Sequence, residues 1–373
     1  MKSMRIFPVL LFIVGIVNLW SVTAVPPSNF ADSNAGSLEN PFQISSLENL
    51  RWLSETESVW GDIDTKYHFV QTADIDATDT MNWNSGTGFS PIGHISMHLD
   101  DHPKIFHGDY DGRGHAIKNI YINKPEYPHD DLIWRQMIGF FGTISDSKVS
   151  NLNLEGSKTF VYGAGATLVA QAYQSTVEGC SVTGDIYLLN INPKIFYLAG
   201  GLVGSANQST IKNCSSKVNF HNVNNNAIVG GLVGSMYGAD IDDSYYIGNI
   251  TGTAKKVGGL VGQINNRGTI SNCYAVNKNK APKSFGLVSR ITSYGQINDT
   301  NISSNIWNKE LAATKKGLRT SSFSIKVHQK DNIALKTDEM KTMQPYVNIG
   351  WDFEKVWAID SAINEGYPYL QLQ

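Results

Sequence analysis

Five of the nine histidines fall within 22 residues, at His94, His98, His102, His107 and His115. Imidazoles at that density could hold a metal or move protons. His94-Ile-Ser-Met-His98 has the spacing of a zinc-binding helix, but Ile95 and Ser96 stand where its catalytic glutamate is needed. No His-Glu-x-x-His occurs anywhere, and Gly93 with the Asp100-Asp-His-Pro103 turn argues against a helix, so a His-rich loop is expected. Paired carboxylates are the next acid–base device. Asp240, Asp242 and Asp243 crowd together, and Asp109 and Asp111 flank Tyr110 in a Gly-rich turn that lacks the calcium-loop patterns. Cys180, Cys214 and Cys273 lie 34 and 59 residues apart, which fits no metal motif; they are read as buried free thiols. There is no Gly-x-Ser-x-Gly elbow and no phosphate-cradling loop with lysine. No catalytic, cofactor-binding or metal-binding residue is assigned, no cofactor is expected, and the chain is expected not to be an enzyme.

The elements that must position these groups are set by a repeat. Gly200-Gly-Leu-Val-Gly204, Gly230-Gly-Leu-Val-Gly234 and Gly258-Gly-Leu-Val-Gly262 are its clearest copies. Weaker ones begin at Gly139-Phe-Phe-Gly142, Thr167-Leu-Val169 and Gly286-Leu-Val288, which makes six at a period of 27 to 34 residues. Stacked, they give an apolar column of Val149, Val177, Ile211, Ile241, Ile270 and Ile297. A second column, Leu152, Cys180, Cys214, Ser244, Cys273 and Thr300, is small or apolar. Between them run Asn151, Gly179, Asn213, Asp243, Asn272 and Asp299, residues that tolerate a left-handed turn. Glu178, Lys212 and Asp242 alternate in sign, as neighbouring rungs pairing charges at a rim would. The acids of the 240–243 cluster do not recur above or below, so they are read as solvated rim.

The apolar stretches are short, rich in Val, Ile and Tyr, and bounded by Gly, Asn and Asp, which is strand-and-turn chemistry. A coil of about 30 residues cannot bury its inner face alone, but coils stacked at ~4.8 Å share one core. The expectation is an all-β fold, a parallel β-solenoid (β-helix) of about six repeats with N- and C-terminal caps. Its repeat positions are Gly201, Gly204, Ile211, Cys214, Gly231, Gly234, Ile241, Gly259, Gly262, Ile270 and Cys273. The glycines should mark positive φ or close backbone approach.

Residues 1–24 read as a signal peptide, with Lys2 and Arg5, an apolar run from Ile6 to Val17, and Val22-Thr-Ala24 at the cleavage site. Residues 25–136 read as an N-terminal cap region with a short helix from Leu47 to Ser54, capped with Ser45–Glu48 spacing. Residues 137–305 hold the repeats, 306–336 a polar loop or linker, and 337–373 an aromatic C-terminal cap. No second hydrophobic span follows the signal, so no membrane span is expected in the mature chain. With net charge −3, 17% charged residues and no basic stretch interleaved with aromatics, nucleic acid is excluded as a partner.

The Gly-Gly-Leu-Val-Gly copies resemble the GLUG motif of bacterial secreted and surface proteins. Asn40-Pro-Phe, Pro91-Ile-Gly93 and Phe106-x-Gly-x-Tyr-Asp-Gly-x-Gly-His115 resemble the segment that precedes such repeats, and Gly350-Trp-Asp-Phe353 through Gly366-Tyr-Pro-Tyr-Leu370 the one that closes them. The resemblance covers nearly all of the mature chain. It implies a secreted or cell-surface, adhesin-like protein, the repeat being found also with IgA-specific metallopeptidases, whose zinc motif this chain lacks. The resulting expectation is a non-catalytic protein recognising a host or matrix glycan or protein through walls bearing Tyr173, Tyr237, Tyr245 and Tyr274. A carbohydrate-active enzyme on a β-helix and a passive spacer module are the alternatives.

Overall fold

A computed structural model describes residues 22–94, 104–124, 137–189, 197–254, 256–278, 284–292, 298–320 and 325–371. The expected positions His98, His102 and Ile297, and residues 1–21 of the expected signal peptide, lie outside the described residues. The fold is a stack of parallel strands, a β-solenoid of about eight turns. One turn runs through three walls. A glycine wall holds six strands, Met137–Ile138, Ala164–Ala166, Tyr197–Gly200, Ala227–Gly230, Lys256–Gly258 and Ser284–Phe285, one for each expected repeat. A bent wall follows, and then a back wall built on strands such as Asn153–Val161, Ser181–Leu188 and Ser215–Val223.

The bent wall is longer than the repeat suggests. Its inward column pairs Phe42, Phe69, Tyr110, Val149, Val177, Ile211, Ile241, Ile270 and Ile302 before ending on exposed Gln329. The first nine of these are buried and belong to one continuous core. Residues expected to form a separate N-terminal cap therefore supply rungs, and the expected loop at 306–336 holds the strands Ile306–Asn308, Leu318–Thr320, Ile325–Lys330 and Ile333–Leu335. The column's last copy is also corrected. Cys273 stacks on Asn305, and Thr300 stacks on Gly268 instead, so the true continuation sits five residues later than the sequence pattern gave.

Corners make the stacking possible. Asn151, Gly179, Asn213, Asp243, Asn272, Ser304 and Asp331 all take positive φ, between 42° and 63°, at one corner. Beside it, side chains of one rung cap the backbone of another. Cys214 N–H donates to Ser244 Oγ at 3.1 Å, Cys273 N–H to Asn305 Oδ1 at 2.9 Å, and Asn305 N–H to Asn332 Oδ1 at 3.2 Å. Ser147, Ser175 and Ser209 do the same at the bend, where the N–H of one donates to the hydroxyl of the next at 3.1 Å. Each such bond satisfies a corner N–H that the strand ladders cannot reach.

The repeat glycines act by close approach and not by positive φ. Gly201, Gly204, Gly231, Gly234, Gly259 and Gly262 all lie outside the left-handed region. A Cβ on Gly231 would strike the Gly259 carbonyl oxygen and the Tyr246 ring, and one on Gly259 would strike the Gly286 carbonyl oxygen. The glycine wall meets the back wall here with no room for a methyl.

The N-terminal end is covered. The helix Leu47–Glu55 starts at Ser46, whose side chain accepts from Asn49 N–H, one residue later than the expected cap. It turns Leu50, Trp52 and Leu53 onto the first rung, where Trp52 meets the Phe42 ring at 5.5 Å. Asn29 Nδ2 donates to Pro41 O at 2.9 Å, and its Oδ1 accepts from Gln43 N–H at 3.3 Å, along the edge of the first strand. Among the described residues the C-terminal segment does not cover the other end. It packs on the outer face of the back wall, where Met340, Tyr346, Trp351, Trp357, Tyr367 and Leu370 form a second core with Tyr245, Ile247, Tyr274 and Ile306.

Replacing Gly231 with alanine should force two rungs apart and cost about 3 kcal/mol, as overpacking of a well-filled site does. Chemical denaturation of G231A against wild type checks this, and an unchanged midpoint would contradict the close-packing account.

Candidate functional site

The stack absorbs most of the groups that could do chemistry. Asp240 Oδ1 accepts from Thr269 N–H at 3.1 Å, and Asp242 Oδ1 from Ser271 Oγ at 2.8 Å and Asn272 Nδ2 at 3.1 Å. Asp243 Oδ1 accepts from Trp357 Nε1 at 2.9 Å. Asp109 Oδ1 accepts from Lys148 N–H at 2.7 Å and Asp111 Oδ1 from Asn151 Nδ2 at 2.9 Å. All five carboxylates thus cap a neighbouring rung or the tail. The rim pairing is present between Glu178 and Lys212 at 2.9 Å and extends to Lys148 at 3.0 Å, while Asp242 turns to the hydroxyl and amide of the next rung instead. Cys180, Cys214 and Cys273 are buried free thiols. Cys214 and Cys273 are pushed well above the usual thiol range, chiefly by burial.

The aromatic wall is rearranged. Tyr245 and Tyr274 stack at 4.9 Å beneath the C-terminal segment and are buried, so neither faces a ligand. Tyr173 and Tyr237 lie on the bent wall with Asn207 between them in the register, and Tyr237 is exposed. A stack that the sequence reading missed runs outside the back wall: Phe160 on Tyr187 at 4.8 Å and Tyr187 on His221 at 4.6 Å. Asp185 holds His221 Nε2 at 2.7 Å. The outward column was the available signal, since Phe160–Tyr187 and Tyr187–His221 differ by the repeat period. Rings stacked along the axis cover one another's faces and offer solvent their edges, so this ladder is no platform for a flat ligand.

The concave feature lies where regular stacking gives way to loops, before the first full rung. Glu57, Trp60, Asp62, Tyr67, Lys104 and His107 line a cleft of about 360 Å³. Trp60 is anchored by its Nε1, which donates to Leu53 O at 2.7 Å, and by the His94 ring edge-on at 5.7 Å. Its carbonyl accepts from His107 N–H at 2.8 Å. Asp62 accepts from Asp64 N–H at 2.9 Å and Thr65 N–H at 2.8 Å, and these bonds hold its carboxyl below the usual carboxylate range. His107 Nδ1 is buried and has no protein partner. Of the clustered histidines the fold sets both His94 and His107 against Trp60, while His115 pairs with Asp74 at 3.3 Å outside the cleft lining. Among the described residues no three His, Cys, Asp or Glu side chains converge at metal-binding distance.

The chain carries the GLUG motif, matched at residues 197–224, which is one full turn of the solenoid. Over 154 residues it is 27% identical to halomucin of Haloquadratum walsbyi, and over 151 residues 31% identical to a provisionally named Gly-rich membrane protein of Evansella cellulosilytica. Each match takes in 40% of this chain but only 2% and 15% of those much longer proteins. The fold is that of a Bacteroides ovatus protein provisionally named an immunoglobulin A1 protease, at TM-score 0.58 and 20% identity over 91% of this chain and 94% of that one. Among the described residues no helix is long and apolar enough to cross a membrane.

Asp243 gives a pH signature. Burial, with Asp242 and Asp352 adding to it, pushes its carboxyl up to about 6, against the pull of the Trp357 N–H. The folded state then holds a proton that the unfolded chain releases, so this group's stabilisation is present below about pH 4 and fades as pH rises through 6. D243N keeps a residue type already found in this corner, and should be the more stable protein at pH 7 by a margin that disappears by pH 4. Urea midpoints of both proteins from pH 4 to 7 check this. For the thiols, a disulfide-exchange reagent should label none of the three natively and all three in denaturant.

Proposed function

We propose that this chain is a secreted or cell-surface repeat protein that binds without catalysing, an adhesin-like module recognising a glycan or matrix protein. The observation that carries this reading is the division of labour among its polar groups. Carboxylates on the stack serve as structural acceptors, whereas the Trp60–His107 cleft gathers acceptors, donors and aromatic edges around an open volume. Its volume is at the small end of ligand pockets and suits one or two sugar units or a side-chain loop. Outward setting at the cell boundary is supported by the N-terminal leader pattern and by relatives named as a mucin and a membrane protein.

The rival reading, a carbohydrate-active enzyme, needs two carboxylates on either side of a bound sugar, about 5 to 9.5 Å apart. Glu57 is the other carboxylate lining the cleft beside Asp62, but Lys104 and His94 both approach Glu57 at 3.8 Å, as they would a charge partner on a rim. The passive spacer makes no use of the cleft.

Residues 25–373 should be incubated with immobilised glycans and matrix proteins, scoring retention and released product together. Retention without product is expected, and H107A or D62N should weaken it at least about tenfold while leaving the melting temperature near wild type. Released product would establish the enzyme, and silence on every surface the spacer.

A further inference from the structure

The two ends of the solenoid are not alike. Helix, Phe30 and Asn29 close the first rung, but among the described residues nothing closes the last one. Among the described residues Leu318–Thr320, Ile325–Lys330 and Ile333–Leu335 each pair on one side only, with the rung before. Inward residues there, Leu318, Val327 and Ala334, are only partly buried against the core. The corner ladder that runs through Ser244 and Asn305 ends at Asn332.

This end is also basic. Between residues 309 and 336 stand seven Lys and Arg against two acids, in a chain whose net charge is −3. Lys326, His328 and Lys330 alternate outward along the terminal strand, with Val327 turned in. His328 already holds Asp299 at 2.6 Å. Lys326, Lys330 and Arg319 are exposed and make no ion pair among the described residues.

We propose that this terminal rung is a docking edge for an extended acidic segment of a partner protein, added as a further strand. Its backbone would satisfy the unpaired N–H and C=O groups of the last rung, as strand addition does elsewhere. Acidic side chains at alternate positions would lie one rung beyond Lys326 and Lys330, about 5 Å away. Residues between them would turn inward over Val327 and Gln329. Lysines on an open edge repel a second copy, because pairing this strand with itself sets basic side chains against basic side chains. Joining it to the opposite end is blocked by the N-terminal helix. The same charges select an acidic strand over a neutral one.

The test uses the full chain without its leader and fluorescently labelled peptides in a binding titration. One peptide alternates glutamate with valine or threonine; a second has the same composition with its glutamates in one block; a third replaces glutamate with lysine. A sulfated polysaccharide is the fourth probe. Binding of the alternating peptide is expected, with slowed amide exchange at 325–330 and little response to the second and third. The exposed double variant K326E/K330E should keep its melting temperature, lose about tenfold or more for the acidic peptide, and gain the lysine peptide. Equal binding of blocked and alternating peptides, or of the polysaccharide alone, would show a charge patch without strand addition and overturn the proposal. So would concentration-dependent self-association that these peptides do not displace, or no binding at all. None of these outcomes depends on the glycan and matrix array, since H107A and D62N leave this edge intact.

Discussion

A parallel strand is satisfied only when the strands above and below follow the same path, so every turn of this molecule must bring its corners back to one place. That constraint governs residue choice more strictly than burial does. A left-handed residue recurs at one corner from Asn151 to Asp331, and serine, cysteine or asparagine stands just inside it to cap a neighbouring rung's N–H. Where the glycine wall presses on the back wall, the absent side chain is the structural element. A Cβ at Gly201, Gly231 or Gly259 would overlap the carbonyl of the following rung. Loss of one such glycine is felt by two turns at once, because the backbone of the following rung occupies the space and cannot swing aside as a flexible side chain would.

The same constraint explains what the sequence could and could not disclose. Six glycine-marked turns were legible because their corners need residue types with few substitutes. The first rungs were not, since Phe42, Phe69 and Tyr110 fill the inward column with large rings where later turns use Val and Ile. The last copy slipped by five residues because Asn305 took the cysteine position, and an asparagine there looks like turn chemistry until its amide is seen capping Cys273. Inward and outward tyrosines could not be told apart either: Tyr245 and Tyr246 are adjacent, and which is covered depends on a tail a hundred residues away. Of the candidate site, the histidine cluster was visible, but the pairing of His107 with Trp60 rests on loop geometry that no periodicity encodes.

Chemistry is accordingly pushed to the margins. A carboxylate within the ladders has a neighbour waiting one rung away, and Asp109, Asp111, Asp240 and Asp242 are all taken up in that way. Stacked rings such as Phe160, Tyr187 and His221 are likewise turned toward each other. Two sets of polar groups at the margins keep unspent capacity: His107 in the cleft near the start, and the lysines of the final rung.

The tail adds a temporal dimension. Trp357 reaches Asp243 across 114 residues, Trp351 Nε1 donates to Ser304 O at 2.8 Å, and Tyr274 Oη to Pro368 O at 2.6 Å. These contacts lace several rungs together from outside, using residues made after those rungs. Earlier turns can template one another as the chain emerges, but the rungs bearing Tyr245 and Tyr274 keep an uncovered apolar flank until the tail itself has been made. The tail thus works as a bolt thrown at the end. A chain truncated before it would keep its pitch and lose resistance to being peeled open from the C-terminal end, which is the direction in which a pulling force or a processive protease would begin.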